Sequence, residues 1–430
     1  MNQPTHQQPG SHHQKRQAAM PFILVTVLID MISIGLMVPV LPHIIGTFTH
    51  SNDEQTSAFL MVTAAFGLAN FVGSPIIGAL SDHYGRRPVL LLGFMGLALS
   101  FFVTALATAF WMIVAVRLFS GVMQSNMSVA NAYVADITAP EQRARRFGLL
   151  GAMFGAGFIL GPVIGGLLGD SNPRLPLFVA GVLALINLLY GLLVLPESLP
   201  PERRRSFAWE RANPIASLRG LSALKGAGGL VWSIGLSALA QFMLYSTWVL
   251  YTKFKFGWGP KQVGWSLLAV GVVSVISQGV LLKPLLKRFS TRSLALVGLA
   301  VAILSDVLFG LMTQGWMMYA VISLGLLGGA AQASIQSIIS NSASASNQGE
   351  TMGAVSSLSS LMAVLGPIFG LELLRWVAHL PSDAVMIGLP FFVSAVLHFF
   401  AWYGAWRFFA SEGQASHSLK AKNQSHQPPR

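Results

Sequence analysis

The 430-residue sequence contains no cysteine and little charge, since Asp, Glu, Lys and Arg together make up only 10% of it. The absence of cysteine excludes disulfides, thiolate catalysis and cysteine-ligated metal sites. A soluble domain carries about 25% charged residues, so the surface of an ordinary soluble enzyme cannot be built from this composition. No Gly-Lys-Ser/Thr phosphate-binding loop occurs in the chain, which excludes ATP hydrolysis.

Apolar residues (AVILMFWYC) dominate instead, at 53% of the chain, and the mean hydropathy is +0.62. They are gathered into runs of about 20 residues, the length that an α-helix needs to cross a hydrocarbon core about 30 Å thick. We therefore predict an all-α membrane protein whose solvent is the lipid bilayer. The twelve predicted transmembrane helices cover residues 20–42, 57–80, 88–108, 111–135, 146–169, 175–195, 228–252, 262–286, 291–312, 315–340, 351–376 and 385–410.

The charge that is present is mostly positive, with 27 Lys and Arg against 15 Asp and Glu. Nucleic acid is excluded as a partner because the basic residues are scattered between apolar runs and are not gathered on one soluble face. Most of them fall on the side of the two termini, so the positive-inside rule predicts a multi-pass protein with both termini in the cytoplasm. Lys253, Lys255 and Lys261 fall on the opposite side, against the rule.

The longest internal loop divides the predicted helices into two sets of six. It carries the run Arg203 to Arg205 and few long apolar stretches. A segment this basic can bind anionic lipid, but we predict the simpler alternative, a cytoplasmic connector. The expected organisation is a disordered cytoplasmic tail (1–19), an N-terminal six-helix half (20–195), a linker (196–227), a C-terminal six-helix half (228–410) and a cytoplasmic tail (411–430).

The two halves resemble each other in sequence. When the second half is moved back by 205 residues (298 minus 93), several landmarks coincide without a gap. The pairs are Gly93 with Gly298, Trp111 with Trp316, Gly148 with Gly353, and Gly161-Pro162 with Gly366-Pro367. Two parallel repeats, related by an axis along the membrane normal, are one of the architectures of secondary transporters, with the substrate site near the midplane. The repeat therefore indicates transport by alternating access.

The loop between predicted helices two and three carries the first motif. It reads Gly78-Ala79-Leu80-Ser81-Asp82-His83-Tyr84-Gly85-Arg86-Arg87-Pro88, and it resembles the signature G-x-L-x-D-x-x-G-R-R/K of the major facilitator superfamily. We expect the glycines to allow close helix approach and a tight turn. We expect Asp82, whose repeat counterpart is Lys287, to close the cytoplasmic gate by binding the partially positive start of helix eleven. The alternative is a positively charged turn without a gating role. The predicted gating residues are Gly78, Asp82, Gly85, Arg86, Arg87 and, as a partner of the arginines, Asp136.

Predicted helix five carries a second motif, Gly161-Pro162 followed by Gly165-Gly166. It resembles the antiporter motif of the drug/proton antiporter branch of the same superfamily, and this resemblance implies export. Small residues also let membrane helices pack at close range, so a purely structural role is the alternative. The predicted motif residues are Gly157, Gly161, Pro162, Gly165 and Gly166.

Ionisable residues lie deep within three predicted helices, with Asp30 in helix one, Arg117 in helix four and Asp306 in helix nine. A charge at such a depth is costly unless it is paired or neutralised, which makes these residues functional candidates. We predict that Asp30 carries the proton, that Arg117 tunes it, and that Asp306 is the second carboxyl candidate. A structural salt bridge between Asp30 and Arg117 is the alternative.

Polar side chains recur at i, i+4 and i+7 on predicted helices four and seven, and at i and i+4 on helix ten, which places each set on one helix face. Such stripes either form interhelical hydrogen bonds, worth about 0.6 to 2 kcal/mol each, or line a cavity. In the superfamily that the motifs resemble, these three helices line the central cavity, so the resemblance implies a substrate site. The predicted substrate-binding residues are Asn70 in helix two together with Gln124, Ser128, Asn131, Gln241, Tyr245, Trp248, Gln332 and Gln336.

Over residues 20–410 the sequence resembles the tetracycline/proton antiporter group of this branch. The resemblance is carried by the segments Asp30 to Pro42, Ser81 to Leu92, Arg117 to Gly121 and Phe147 to Gly166. The chain departs from that group at an acidic position of helix three, a histidine position of helix eight and an acidic position of helix nine. These positions hold Ser100, Ser274 and Ala302.

The resemblance implies a proton-coupled secondary antiporter of the cell inner membrane that exports a small amphipathic drug, with tetracycline-like compounds as the first expectation. The alternatives are an exporter of another drug or metabolite with the same fold, and a nutrient symporter, which the motif in helix five disfavours. We expect no enzymatic activity, no cofactor and no metal. The expected partners are a small-molecule substrate, protons and the lipid bilayer, and the expected state is a monomer.

Overall fold

The computed structural model describes residues 20–124, 126–207, 209, 228–342 and 348–425. Within these ranges the regular structure is helical and contains no strand, which agrees with the predicted all-α class. The predicted N-terminal tail and most of the linker beyond Phe207 lie outside the described residues.

The helices that precede the linker follow one another with short connections. A 3₁₀ turn at Pro140–Gln142 precedes α7, and a second one at Pro201–Arg203 follows α8. The helices are α1 (Met20–Met37), α2 (Leu41–Gly46), α3 (Asn52–Tyr84), α4 (Arg86–Leu106), α5 (Phe110–Met123), α6 (Asn126–Ile137), α7 (Arg143–Gly169) and α8 (Leu175–Val194).

The helices after the linker include one departure from α geometry. A π-helical segment at Ile276–Leu281 joins α10 to α11, and a 3₁₀ turn at Val385–Gly388 leads into the last helix. The helices are α9 (Gly228–Phe256), α10 (Pro260–Val275), α11 (Leu282–Arg288), α12 (Thr291–Leu311), α13 (Gly315–Ser342), α14 (Gln348–Val377) and α15 (Leu389–Ser425). Helix α15 continues well past residue 410, where the last membrane helix was predicted to end.

Ten helical stretches of the described residues are long and apolar enough to cross a membrane. They correspond to ten of the twelve predicted spans. The fourth predicted span is divided between α5 and α6, and the tenth lies within α13, of which Gly315–Gly329 forms a shorter apolar helix. Helices are therefore present at all twelve predicted positions, and the chain is a multi-pass membrane protein.

Glycine separates α3 from α4. Gly85 has φ 107°, a left-handed conformation that residues with a Cβ rarely adopt. Because the chain reverses at this one residue, α4 begins at Arg86, directly after the turn. The expectation of a tight turn at Gly85 is therefore confirmed.

The chain divides into two compact units, each with its own core. Unit 1 comprises residues 1–50, 61–216 and 258–268, and unit 2 comprises residues 51–60, 217–257 and 269–430. The main boundary thus falls inside the predicted linker. Two short segments, the first turns of α3 and of α10, belong to the unit that does not contain the rest of their helix.

The core of unit 1 lies between α1, α4, α6 and α7. Its fully buried side chains include Ile23, Phe94, Tyr133 and Leu150, each at most 1% exposed. The Tyr133 hydroxyl donates a 2.8 Å hydrogen bond to the carbonyl of Pro196. A buried phenol oxygen needs such a partner, and here the bond also ties α6 to the start of the linker.

The core of unit 2 contains an aromatic cluster between α9, α12 and α15. The ring of Trp248 lies edge-on to Phe309 at 5.1 Å between centroids, and Tyr251 lies 4.4 Å from Phe391. The Tyr251 hydroxyl donates to the carbonyl of Phe309 at 2.5 Å. Edge-to-face and tilted aromatic pairs add about 0.5–1.5 kcal/mol each beyond the area they bury.

Two of the lysines that oppose the positive-inside rule are held by the protein itself. Lys255 is 8% exposed and donates to the carbonyl of Gly310 at 3.3 Å. Lys253 donates to Gln55 Oε1 at 2.6 Å. Both contacts lie inside unit 2. These ammonium groups are bound at the end of α9, so they act as internal donors as well as topology charges.

Candidate functional site

Asp30 lies in the interior of unit 1 and is 4% exposed. It is held on α1, which packs along α7 and α8. Beside it is a cavity of about 10 Å³, roughly the minimum that one water molecule needs. The cavity is lined by Ile23, Thr26, Val27, Asp30, Met31, Leu90, Phe94 and Ala130.

Arg117 on α5 is equally buried, at 4% exposed. Its Nη2 is directed at the sulfur of Met37, at the end of α1. The tuning of Asp30 by Arg117, and its alternative of a structural salt bridge between the two residues, both remain predictions.

The glycines of the antiporter motif place α7 directly against the helix that carries Asp30. A Cβ atom on Gly157 would lie 2.6 Å from Met31 Cβ, and one on Gly161 would lie 2.6 Å from the Cα of Gly35. Gly165 faces the same helix. Since real Cβ atoms do not approach other atoms so closely, α7 can occupy this position only because these residues are glycine.

The same motif presents a second close contact to α10, whose first turns belong to unit 1. A Cβ on Gly166 would lie 2.5 Å from the carbonyl oxygen of Pro260, and one on Gly264 would lie 2.7 Å from the carbonyl oxygen of Pro162. The motif is therefore a two-sided packing surface. This contact satisfies the purely structural interpretation, while the role in export remains a prediction.

Arg86, the first residue of α4, binds side chains at the end of α3 and on α6. It pairs with Asp82 at 2.6 Å and, through Nε, with Asp136 at 3.1 Å, and its Nη1 donates to the Ser81 hydroxyl at 2.6 Å. The contact with Asp136 that the sequence suggested is thus confirmed. Asp82 binds within its own loop, and its action on the start of helix eleven remains a prediction.

Glu197 completes this loop, and it was not among the predicted gating residues. Its carboxylate accepts hydrogen bonds from the backbone N–H groups of Arg86 at 2.9 Å, Arg87 at 3.2 Å and Leu199 at 3.0 Å. Two of these groups are unpaired donors of the first turn of α4, where a negative charge is favourable. A Cβ on Gly85 would lie 2.9 Å from the Glu197 Cδ. Glycine is therefore needed for space as well as for its φ angle.

The first part of the linker belongs to this site and is more than a connector. The Arg205 N–H donates to the Asp82 carbonyl at 3.0 Å, and the Arg205 carbonyl lies 3.1 Å from His83 Nδ1. Arg87 Nη2 donates to the Leu192 carbonyl, at the end of α8, at 2.6 Å. The close helix approach expected at Gly78 is wrong, because a Cβ there would meet nothing within 4 Å. The acidic Glu197, six residues before the basic run, was the sequence signal that could have identified this site.

The predicted substrate residues of unit 1 are not one continuous stripe. Helix α5 ends at Met123, and Gln124 has φ −82° and ψ 22°, so Gln124 does not share a regular helix with Ser128 and Asn131, which lie on α6. Asn70 donates to the carbonyl of Gly121 at 3.2 Å, an interhelical bond between α3 and α5. The i, i+4, i+7 spacing therefore does not place Gln124 on the same helix face as Ser128 and Asn131.

The predicted substrate residues of unit 2 differ in exposure. Tyr245 is 56% exposed, whereas Trp248 is 4% exposed within the aromatic cluster. Gln241 is partly buried. The side chains of Gln332 and Gln336 lie outside the described residues. Trp248 is therefore a core residue in this structure, and substrate binding by the others remains a prediction.

A pair of buried ionisable side chains, Asp306 and His398, lies in unit 2, and the sequence analysis predicted only one of the two residues. His398 Nδ1 on α15 lies 2.7 Å from Asp306 Oδ2 on α12, with the two side chains 5% and 3% exposed. Asp306 was predicted as a second proton candidate. His398 was missed, although an ionisable residue in the middle of an apolar run was a usable signal.

Buried ionisable groups within a bundle of membrane helices mark functional positions such as ion and substrate pathways. The sequence matches the Major Facilitator Superfamily over residues 23–367 and again over residues 230–429. The chain belongs to this family, as its motifs suggested.

Curated relatives agree with the resemblance to tetracycline exporters. The chain is 33% identical to the tetracycline resistance protein, class C, of Escherichia coli over 388 residues, which is 89% of this chain and 95% of that protein. It is 34% identical to the class D protein of Salmonella ordonez, over 80% of this chain and 86% of that protein. It is also 30% identical to hippocampus abundant transcript-like protein 1 of Homo sapiens, over 82% of this chain and 73% of that protein.

Solved structures share the fold. The human organic anion transporter MFSD10 (TETRAN) aligns with a TM-score of 0.65 at 22% identity, over 93% of this chain and 100% of that chain. The nucleoside transporter NupG aligns with a TM-score of 0.70 at 15% identity, over 91% of this chain and 99% of that one. At these identities the likeness concerns the fold alone, and it agrees with the predicted major facilitator architecture.

Proposed function

We propose that this protein is a proton-coupled secondary antiporter that exports a small amphipathic drug, with tetracycline-like compounds as the first candidates. It works as a monomer without a cofactor in a cell inner membrane, with both termini in the cytoplasm. The relatives named as tetracycline resistance proteins support the drug class. The single observation that carries the proton coupling is Asp30, which is buried beside a small cavity on a helix packed against the antiporter glycines.

The chemistry of coupling follows from the surroundings of Asp30. Desolvation favours the neutral acid in the closed site, so the group binds a proton when it is exposed to the acidic outside. When the site opens to the cytoplasm and is hydrated, the proton leaves. The carboxylate that remains attracts a cationic or metal-chelated drug. Proton and drug therefore compete for one site, and this competition is the condition for obligate exchange.

The proton gradient supplies enough energy for export. One elementary charge that moves down about 100 mV releases about 2.3 kcal/mol. At about 1.36 kcal/mol per factor of ten, one proton per cycle supports a drug gradient of roughly fifty-fold. No ATP-binding motif is therefore required.

Two alternatives share the fold. Export of a different compound is favoured by the departures from the tetracycline group at Ser100, Ser274 and Ala302, and it changes the drug but not the mechanism. A nutrient symporter would move substrate in the same direction as the proton. The resemblance of Gly161-Pro162 and Gly165-Gly166 to the antiporter motif supports export over uptake.

The test is transport by the purified protein in liposomes with an imposed pH gradient. We expect tetracycline, or another member of a drug panel, to move against its own gradient and protons to move the opposite way. Drug and proton flux in the same direction would establish a symporter. No flux of any compound across a panel that relatives export would contradict the proposal.

Asp30→Asn tests the coupling residue. The variant is expected to insert normally and to exchange drug downhill, but to lose pH-driven accumulation and drug-induced proton release. Thr26→Val is the matched control, because Thr26 lines the same cavity and its hydroxyl bonds only to its own helix, at the Phe22 carbonyl. Proton release that persists in Asp30→Asn would remove Asp30 from the mechanism.

A further inference from the structure

The pair Asp306–His398 joins two helices of unit 2 at a place where neither side chain reaches solvent. The Nδ1 to Oδ2 distance is 2.7 Å, within the range of a strong hydrogen bond between charged or chargeable groups. Asp306 is on α12 and His398 is on α15, and the two helices pack along each other. The pair lies inside unit 2, whereas Asp30 lies inside unit 1.

The charged and titratable groups around the pair are few. From α9, the Tyr251 hydroxyl and the Lys255 ammonium bind the carbonyls of Phe309 and Gly310, on the turn of α12 that follows Asp306. On α14, Glu372 and Arg375 pair with each other. On α13, Tyr319 is 36% exposed, and the turn Val385–Gly388 carries no titratable side chain.

The remaining basic groups of the packed elements are distant along their helices. Arg292 precedes Asp306 by 14 residues (306 minus 292) and Arg407 follows His398 by 9 (407 minus 398), which at about 1.5 Å per residue is roughly 21 Å and 14 Å. The lysines and arginine of α11 precede Arg292 in the chain. His398 is therefore the charged group that acts directly on Asp306.

The net charge of the pair depends on how many protons it holds. A carboxylate beside a neutral imidazole has charge −1, one added proton gives charge 0, and a second gives +1. In a site closed to water, a net charge of either sign is strongly disfavoured. The pair therefore keeps one added proton when it is buried. Two groups at this distance bind and release that proton as a unit and not as two independent residues.

We propose that Asp306 and His398 form a second proton-binding site, so that each of the two units carries one. The proton is taken from water onto the pair, where it resides on the imidazole ring or on the carboxyl group, and it is returned to water when the site is hydrated. This inference rests on the proposed proton coupling and deepens it by adding a site. The rival role is a static link that fastens α12 to α15.

The experiment counts protons in the absence of drug. The purified full-length protein in detergent is shifted between pH 8 and pH 5, and a pH-indicating dye measures the protons bound per molecule. The double variant Asp306→Asn/His398→Gln is expected to bind one proton fewer than the unmodified protein. Each single variant keeps one titratable group of the pair, so its proton uptake is expected to occur at a different pH. Ser394→Ala, on the turn of α15 before His398, removes a buried hydroxyl that bonds mainly to Pro390 and should leave the count unchanged.

Each result decides between the two roles. A double variant that binds as many protons as the unmodified protein, with only a lower unfolding temperature, would establish the static link. If these variants do not fold, the infrared carboxyl band of Asp30→Asn protein replaces the count. Surface carboxyl groups titrate near pH 4, so a change between pH 5 and pH 8 in either the protonated-carboxyl band or the carboxylate stretching band supports the site. No change in either band refutes it.

The outcome is separable from that of the proposed function. A lost proton in the variants, with no drug export by the unmodified protein, would overturn the export proposal and leave the proton site in place. Export by the unmodified protein, with undiminished proton counts in the variants, would overturn the proton site and leave the export proposal in place.

Discussion

Glu197 is predicted to hold the first turn of α4 in place. Its carboxylate accepts hydrogen bonds from the Arg86 and Arg87 N–H groups, which have no partners within the helix. A hydrogen bond to a charged group contributes about 1.5–3 kcal/mol, and a charge at a helix N-terminus adds about 0.3–1 kcal/mol. Glu197→Gln keeps one acceptor oxygen but loses the charge, so the local structure should weaken by about 1–2 kcal/mol.

The assay is hydrogen exchange of the peptide that covers the start of α4, measured by mass spectrometry on the purified protein. A loss of about 1–2 kcal/mol in local stability corresponds to about 5–30-fold faster exchange. Glu202→Gln is the matched control, because Glu202 is an exposed acid of the 3₁₀ turn that follows. Equal exchange rates in Glu197→Gln and Glu202→Gln would refute the capping role.

A double-variant cycle with Gly85 sharpens this test. Gly85→Ala is expected to cost about 1–3 kcal/mol from backbone strain at φ 107°, and more where the new Cβ meets the Glu197 carboxylate. In a Glu197→Ala background the contact with the carboxylate is removed, and the strain and a 3.1 Å approach to Arg204 Nη2 remain. The two substitutions are therefore expected to be non-additive, as residues in contact are. Additive effects would mean that the carboxylate does not occupy the space above Gly85.

Two further predictions use pairs of like residues on one helix. On α7, Gly161→Ala should abolish correct packing against α1 and with it transport. Gly155→Ala should leave yield and transport unchanged, because a Cβ at this position meets nothing within 4 Å. Equal behaviour of the two variants would contradict the packing argument. On α9, Tyr251→Phe should destabilise unit 2 by about 1–3 kcal/mol, because the carbonyl of Phe309 is left without its buried donor. Tyr245→Phe, at an exposed position, should have no effect on thermal unfolding, and a similar loss in both variants would argue against a role for the buried hydrogen bond.

The sequence alone predicted the class and the positions of the helices, because both follow from local composition. An apolar run of sufficient length must be helical in a bilayer, where every backbone group needs an internal partner. The same reasoning located Asp30, since one carboxyl group in an apolar helix stands out. It also located Gly85, since a turn between two helices favours glycine.

Helix continuity was harder to predict. The polar residues Gln124, Ser128 and Asn131 were placed on one stripe on the assumption of an unbroken helix, but α5 ends at Met123. No proline marks this break in the sequence, and the glycine three residues before Gln124 packs against α3. Periodicity describes a face only where the helix is continuous.

Contacts between distant segments account for what the sequence did not reveal. Glu197 lies 111 residues from Arg86 and His398 lies 92 residues from Asp306, so neither pair forms a local pattern. A neutral histidine is compatible with an apolar helix, so His398 indicates a functional site most clearly once the carboxyl group of Asp306 is found beside it. Trp248 shows the converse, since its spacing matched a cavity stripe while its ring filled the aromatic core of unit 2. A helix position specifies a face, and only the neighbouring helix decides whether that face meets protein, lipid or substrate.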